Sequence, residues 1–201
     1  QVLSILTETA VEHAWRQLAQ RAGVTGGDPQ GDPQGTGFEG LGVPVHYARP
    51  DQVYPERPGI IVMPCSDAAW WALVELAPHS LDWLPANEVV PRGAQLPFDD
   101  PIPVLFWGEG CEDGGKPFAE LRPDRTVVFY ADIIAATFFI LSRWEETMVS
   151  ARDEHGRFPA TASVAYKQGF LDRPIVDEYA LILRAWLKTL LPGWEPEAGR
   201  F

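Results

Sequence analysis

Residues 132–179, DIIAATFFILSRWEETMVSARDEHGRFPATASVAYKQGFLDRPIVDEY, join a nearly all-apolar run to a dense set of charges. Ile133, Ile134, Phe138, Phe139, Ile140 and Leu141 leave almost no polar face, so the run reads as a helix buried on most sides. Arg143, Glu145 and Glu146 stand at its C-terminal end, and the chain beyond supplies Asp153, Arg157, Lys167, Asp172, Arg173 and Asp177. A charge that leaves water at the edge of a core has to be paired, so several of these residues are expected to form one ionic network. Arg143 and Arg173 can each hold a carboxylate bidentately and tie the loop to both flanking helices. On that latch reading, truncating Arg143 would cost about 3 to 5 kcal/mol. The other reading is a catalytic or ligand-binding site, with two of Glu145, Glu146, Asp153 and Asp177 converging for acid–base work.

Working outward, Pro174 sits where a helix can begin, with Asp172 as its possible N-cap. Val176, Tyr179, Leu183, Trp186, Leu187 and Leu190 then form an amphipathic stripe that ends at Pro192 and Gly193. Residues 4–22 read as a first helix carrying Leu6, Ala10, Ala14 and Leu18 on one face, with Gly23 as its cap. A tandem Gly-Asp-Pro-Gln at 27–30 and 31–34 favours consecutive turns or local disorder. Apolar runs at 43–47, 59–63, 103–107 and 126–130 have strand length, and the continuous Ile60-Ile61-Val62 suits an interior strand. Residues 67–76 read as a short helix. The fold these elements imply is α/β: a single domain with a mixed sheet of about four or five strands, the first helix and the Asp132 helix packed on it, and the last helix closing the core.

A chain of 201 residues, 46% hydrophobic, can bury one full core. A net charge of −12 with 16 scattered basic residues excludes a phosphate-tracking stripe, so no nucleic acid and no anionic membrane surface is expected as a partner. No apolar run has the length to span a bilayer, so no membrane insertion is expected and the chain reads as soluble. Gln1 is not a native start, which leaves a removed upstream signal open; a cytoplasmic location is the working expectation.

His13, His46, His79 and His155 are isolated from one another and show no metal-ligand spacing. No metal, no cofactor and no catalytic residue is therefore expected in this chain. Cys65 follows a strand-like run and precedes Ser66 and Asp67, a turn at which backbone amides can activate a thiol, but no flanking signature accompanies it and a buried free thiol is the ordinary reading for it and for Cys111. Among eight Trp residues, Trp70, Trp71 and Trp83 are the candidates for stacking on a sugar ring, with core packing as the alternative fate.

Three runs carry a family resemblance: Asp132–Glu146, Asp153–Pro159 and Lys167–Asp177. They follow the patterns D-hydrophobic-x-A-x-F-F-L-L-S-R-x-E-E, D-x-x-G-R-F-P and K-x-G-F-L-x-R-P-x-V-D. In these the chain resembles the domain of unknown function that precedes the catalytic domain in a group of bacterial polysaccharide deacetylase family proteins. The resemblance implies a non-catalytic accessory domain over residues 1–193, which docks the catalytic domain or presents its substrate, and a tail, 194–201, leading toward a deacetylase-like catalytic domain. That domain would be the partner, with polysaccharide as a second one, and the metal-dependent hydrolysis would belong to it. Trp194 or Phe201 would then lie partly exposed at the contact. A stand-alone small hydrolase using the carboxylate and arginine cluster, and a glycan-binding module, are the alternatives.

Overall fold

Backbone placement in the computed structural model covers residues 5–24, 43–52, 58–112 and 115–197; the tandem Gly-Asp-Pro-Gln segment and Phe201 lie outside the described residues. In chain order the elements are α1 (Glu8–Arg21), β1 (Val45–Tyr47), β2 (Ile60–Val62), α2 (Asp67–Glu75), β3 (Asp82–Leu84), β4 (Ile102–Val104), β5 (Ala119–Leu121), β6 (Val127–Phe129), α3 (Ile133–Ser142), α4 (Trp144–Met148), a 3-10 turn at Ala160–Ala162, α5 (Val164–Gln168) and α6 (Ile175–Leu190).

The main sheet runs β1-β2-β6-β5, with β1, β2 and β6 parallel and β5 antiparallel to β6. Ile60, Ile61 and Val62 are all buried, as a strand paired on both edges and covered on both faces requires. The architecture is thus the expected single α/β domain with a four-stranded mixed sheet. The run at 103–107 departs from expectation, because β4 leaves this sheet and pairs antiparallel with β3 as a separate two-stranded ribbon. Pro103, opposite Trp83, has no N–H to give a second neighbour and so suits an edge. The sequences of β3 and β5, DWL and AEL, lack the alternating β-branched pattern that marks a strand. For β5 the turn supplies the pairing: Arg122 N donates to Thr126 O, and Thr126 N to Asp124 Oδ1.

α1, α3 and α6 pack against one another. α1 begins at Glu8 and not at residue 4, so Leu6 precedes it; on the helix Ala14 and Leu18 are buried as expected, Val11 and Trp15 complete the stripe, and Ala10 is only half-buried. All six residues of the α6 stripe are buried, although Pro174 and not Asp172 occupies its N-cap position. Arg184 of α6 donates to the carbonyls of Arg21 and Ala22, satisfying orphan acceptors at the end of α1. No helix among the described residues is long and apolar enough to cross a membrane.

Gly23 closes α1 at φ +88°, and a Cβ there would stand 2.6 Å from Pro196 Cβ. Glu197 N donates to Gly23 O at 3.0 Å, and Trp194 is half-buried against the core. The described part of the tail is therefore folded back onto its own domain. Gly23→Ala combines left-handed strain with this clash and is expected to cost about 2 kcal/mol in denaturant unfolding.

Candidate functional site

The parallel strands β1, β2 and β6 end side by side, and three side chains from those ends turn on one another. Asp132, three residues past β6, is 1% exposed and caps α3 by accepting from Ala135 N at 2.8 Å through Oδ1. Its Oδ2 accepts from Tyr47 Oη at 2.6 Å and from Cys65 N at 2.8 Å. Burial pushes the Asp132 carboxyl above the usual carboxylate range, opposed by these hydrogen bonds. Burial, and next the charge of Asp132, push the Cys65 thiol and the Tyr47 hydroxyl upward as well. A thiol so placed stays protonated, which removes the chemical basis for Cys65 as a nucleophile. Ligands of open α/β sheets bind at such strand ends, but here the polar groups are spent in tying β1, β2 and α3 together.

Asp132 was legible only as the first residue of the apolar run, through the helix-start signal of an Asp before it. Tyr47 and Cys65 lie 85 and 67 residues away in sequence, and no local pattern links them to it.

The charged residues that follow α3 sort into separate local ties and not into one network. Arg143 pairs with Glu146 one turn on, and its side chain is 73% exposed. Asp153 Oδ1 accepts from the backbone N–H groups of His155 and Arg157, while its Oδ2 pairs with the Arg157 guanidinium at 3.0 Å. Glu145 Oε2 accepts from Val164 N at 2.8 Å at the start of α5; burial raises its pKa, against this bond and the nearby Lys167 charge. Asp177 pairs with Arg21 of α1 at 3.0 Å. Asp172 is exposed. Short sequence separation accounts for the Arg143–Glu146 and Asp153–Arg157 ties, at i,i+3 and i,i+4; the Glu145 and Asp177 ties are set by the fold.

The buried tie is Arg173 with Glu178, whose side chains are 19% and 9% exposed. Arg173 Nε and Nη2 reach Glu178 Oε1 and Oε2 at 3.0 and 2.7 Å, Nη1 donates to Pro101 O at 2.7 Å, and the guanidinium lies 5.5 Å from the Trp83 ring centre. Nothing in the sequence marks Glu178, since a Glu in the first turn of a helix is ordinary. Of the two arginines expected to act as latches, Arg173 holds a buried carboxylate bidentately and Arg143 does not. Arg143→Ala is expected to change the unfolding free energy by less than about 0.5 kcal/mol, as an exposed ion pair does, and an unfolding curve checks this.

Beside α4 the surface opens. An apolar cavity of about 360 Å³ is lined in part by Phe139, Ile140, Phe158, Phe170, Leu171 and Ile175. It adjoins a polar recess of about 600 Å³ that holds Arg152, Asp153 and Arg157, and the two share Arg143, Glu146, Phe158 and Ala160. Of the aromatic candidates, Trp70 is 1% exposed and packs against Phe106, Phe139 and Trp144. It is a core residue and has no face for a sugar. Trp83 is half-buried beside Phe170 and Arg173. Trp71 is exposed and edge-on to Trp144 at 5.2 Å.

Among the described residues no three His, Cys, Asp or Glu side chains gather closely enough to hold a metal ion. These features define a mixed α/β domain with a buried carboxylate at its strand ends and an open, charge-rimmed corner beside α4. The chain belongs to a family of unknown function, DUF7033, whose model matches residues 81–192, more than half of its length. No curated protein and no solved structure matches it.

Proposed function

We propose that this DUF7033 chain is a non-catalytic accessory domain of a polysaccharide deacetylase-like protein, serving bacterial surface-polysaccharide metabolism by docking the catalytic domain. The observation that carries the reading is where apolar side chains remain in water. Among the described residues the exposed large hydrophobics are Trp71, Leu121, Leu141, Met148, Tyr166 and Leu171. All except Leu121 lie on α2, the end of α3, α4, α5 or the turn after it. Apolar surface costs about 25 cal/mol per Å² while it faces water, and a group of this kind beside a polar rim is the composition of a protein contact. Arg143 and Arg157, both exposed, supply such a rim. The buried charges are engaged in holding the fold. Trp194, half-buried against its own domain, keeps the partial exposure expected of it; the exposed apolar side chains at the α3–α4 corner favour that corner as the docking face.

Hydrogen exchange of residues 141–148 and 164–171, with and without a polysaccharide deacetylase catalytic domain supplied as a separate chain, tests this. Slower exchange confined to those segments is the expected result, and Met148→Asp should abolish it without lowering the melting temperature. Unchanged exchange at the corner would overturn the docking reading.

A further inference from the structure

The corner holds more than exposed side chains, because the cavity between α3, Phe158 and the α5–α6 turn is a formed space with a chemical polarity. Its volume of about 360 Å³ lies in the range of small-molecule sites, roughly 300 to 1,000 Å³, and its walls have the mainly apolar character of such sites. The recess it joins carries the opposite character. Five charged side chains line that recess, Arg143, Arg152, Arg157, Glu146 and Asp153, so it bears one surplus positive charge on a chain whose net charge is −12.

The surplus has a structural origin. Arg157 is paired with Asp153 and Arg143 with Glu146. Arg152 donates to the carbonyls of Glu146, Val149 and Ala151 at 2.6 to 2.9 Å, and it makes no ion pair with a carboxylate among the described residues. These carbonyls fix its guanidinium without neutralising it.

Arg143 stands where the two spaces meet, lining both. Its backbone is left-handed, at φ 53° and ψ 39°, a conformation that costs a residue other than glycine roughly 1 to 2 kcal/mol. Glycine would adopt this joint between α3 and α4 without that cost. A strained position occupied by a long cationic side chain between an apolar cavity and a positive recess is the kind of outlier from which a functional role is argued.

From these observations we infer that the joined spaces bind a small amphipathic carboxylate, its aromatic or alkyl part in the apolar cavity and its carboxylate in the recess against Arg143 and Arg152. The site shares Arg143 and Leu171 with the proposed docking face, but its occupancy is a property of this chain alone and stands whether or not that docking reading holds. Charge-assisted hydrogen bonds to guanidinium groups supply the preference for an anion, and the apolar walls supply the preference for a ring or chain over a bare ion.

The test is a two-dimensional NMR titration of the chain with 4-phenylbutyrate, with 4-phenyl-1-butanol as the uncharged comparator and inorganic phosphate as the bare anion. The expected result is that 4-phenylbutyrate shifts the amides of Phe139, Ile140, Phe170 and Leu171 and binds about tenfold more tightly than the alcohol. Phosphate alone should leave those four amides unmoved. Arg143→Gly should weaken the carboxylate about tenfold and leave the alcohol unchanged, with a melting temperature no lower than that of the unaltered chain. Leu171→Asp, at an exposed wall position, should weaken both organic probes. Shifts absent from the cavity amides would overturn the inference. Equal affinity for the two organic probes, or an Arg143→Gly effect equal on both, would overturn it as well.

Discussion

Replacing Asp132 by Ala is expected to lower the unfolding free energy by about 3 to 5 kcal/mol. The side chain is 1% exposed, and its loss leaves the Tyr47 hydroxyl and the N–H groups of Cys65 and Ala135 without the oxygens they now reach. Each buried donor so orphaned costs about 1 to 3 kcal/mol before any relaxation. Asp132→Asn offers a sharper comparison. Both carboxylate oxygens now accept from backbone N–H groups, so an amide must turn its NH₂ toward one of them, and a loss of about 1 to 3 kcal/mol is expected despite the matched shape. Denaturant unfolding measures both variants.

The same carboxyl sets a pH dependence whose sign follows from its raised pKa. Between the ordinary carboxylate range and the raised value, the folded state keeps a proton that the unfolded state has released. The Asp132 contribution to stability therefore falls as pH rises through that window, and is constant above it. Unfolding midpoints measured over a pH series should fall more steeply in the parent than in Asp132→Asn, which keeps only the smaller fall that Glu145 contributes.

Arg173→Ala is expected to cost about 3 kcal/mol or more, because Glu178 then remains as a buried carboxylate without its bidentate partner and Pro101 O loses a donor. Removing both charges together should be far milder. Arg173→Met with Glu178→Leu replaces the pair by apolar groups of similar length, and a double-mutant cycle should return most of the loss. If the double variant is as unstable as Arg173→Ala alone, the pair is not the tie described for it.

Much of the fold was legible because its elements carry strong periodic signals. The apolar run of α3, the stripe of α6 and the continuous Ile60-Ile61-Val62 each specify their own burial. β3 and β5 were not legible, since their strand state comes from a partner and not from their own side chains. The site was legible in part. Arg143, Glu145, Glu146, Asp153, Arg157, Lys167, Arg173 and Asp177 are all near the corner or the helices flanking it, but sequence cannot tell an exposed i,i+3 pair from a buried bidentate one. Arg143 and Arg173 look alike in the sequence, and only the placement of Glu178 makes Arg173 the buried tie. The Asp132 contacts with Tyr47 and Cys65 span the parallel sheet, and nothing short of the strand order brings those three residues together.

The polar residues of 132–179 divide into buried ties that hold the fold and charges that stay at the surface in exposed ion pairs. Equilibrium unfolding of Asp132→Ala, Arg173→Ala, Arg143→Ala and Arg157→Ala under one set of conditions tests that division most directly. Losses of about 3 kcal/mol or more for the first two, and less than about 0.5 kcal/mol for the last two, are the predicted result. Four losses of similar size would contradict it.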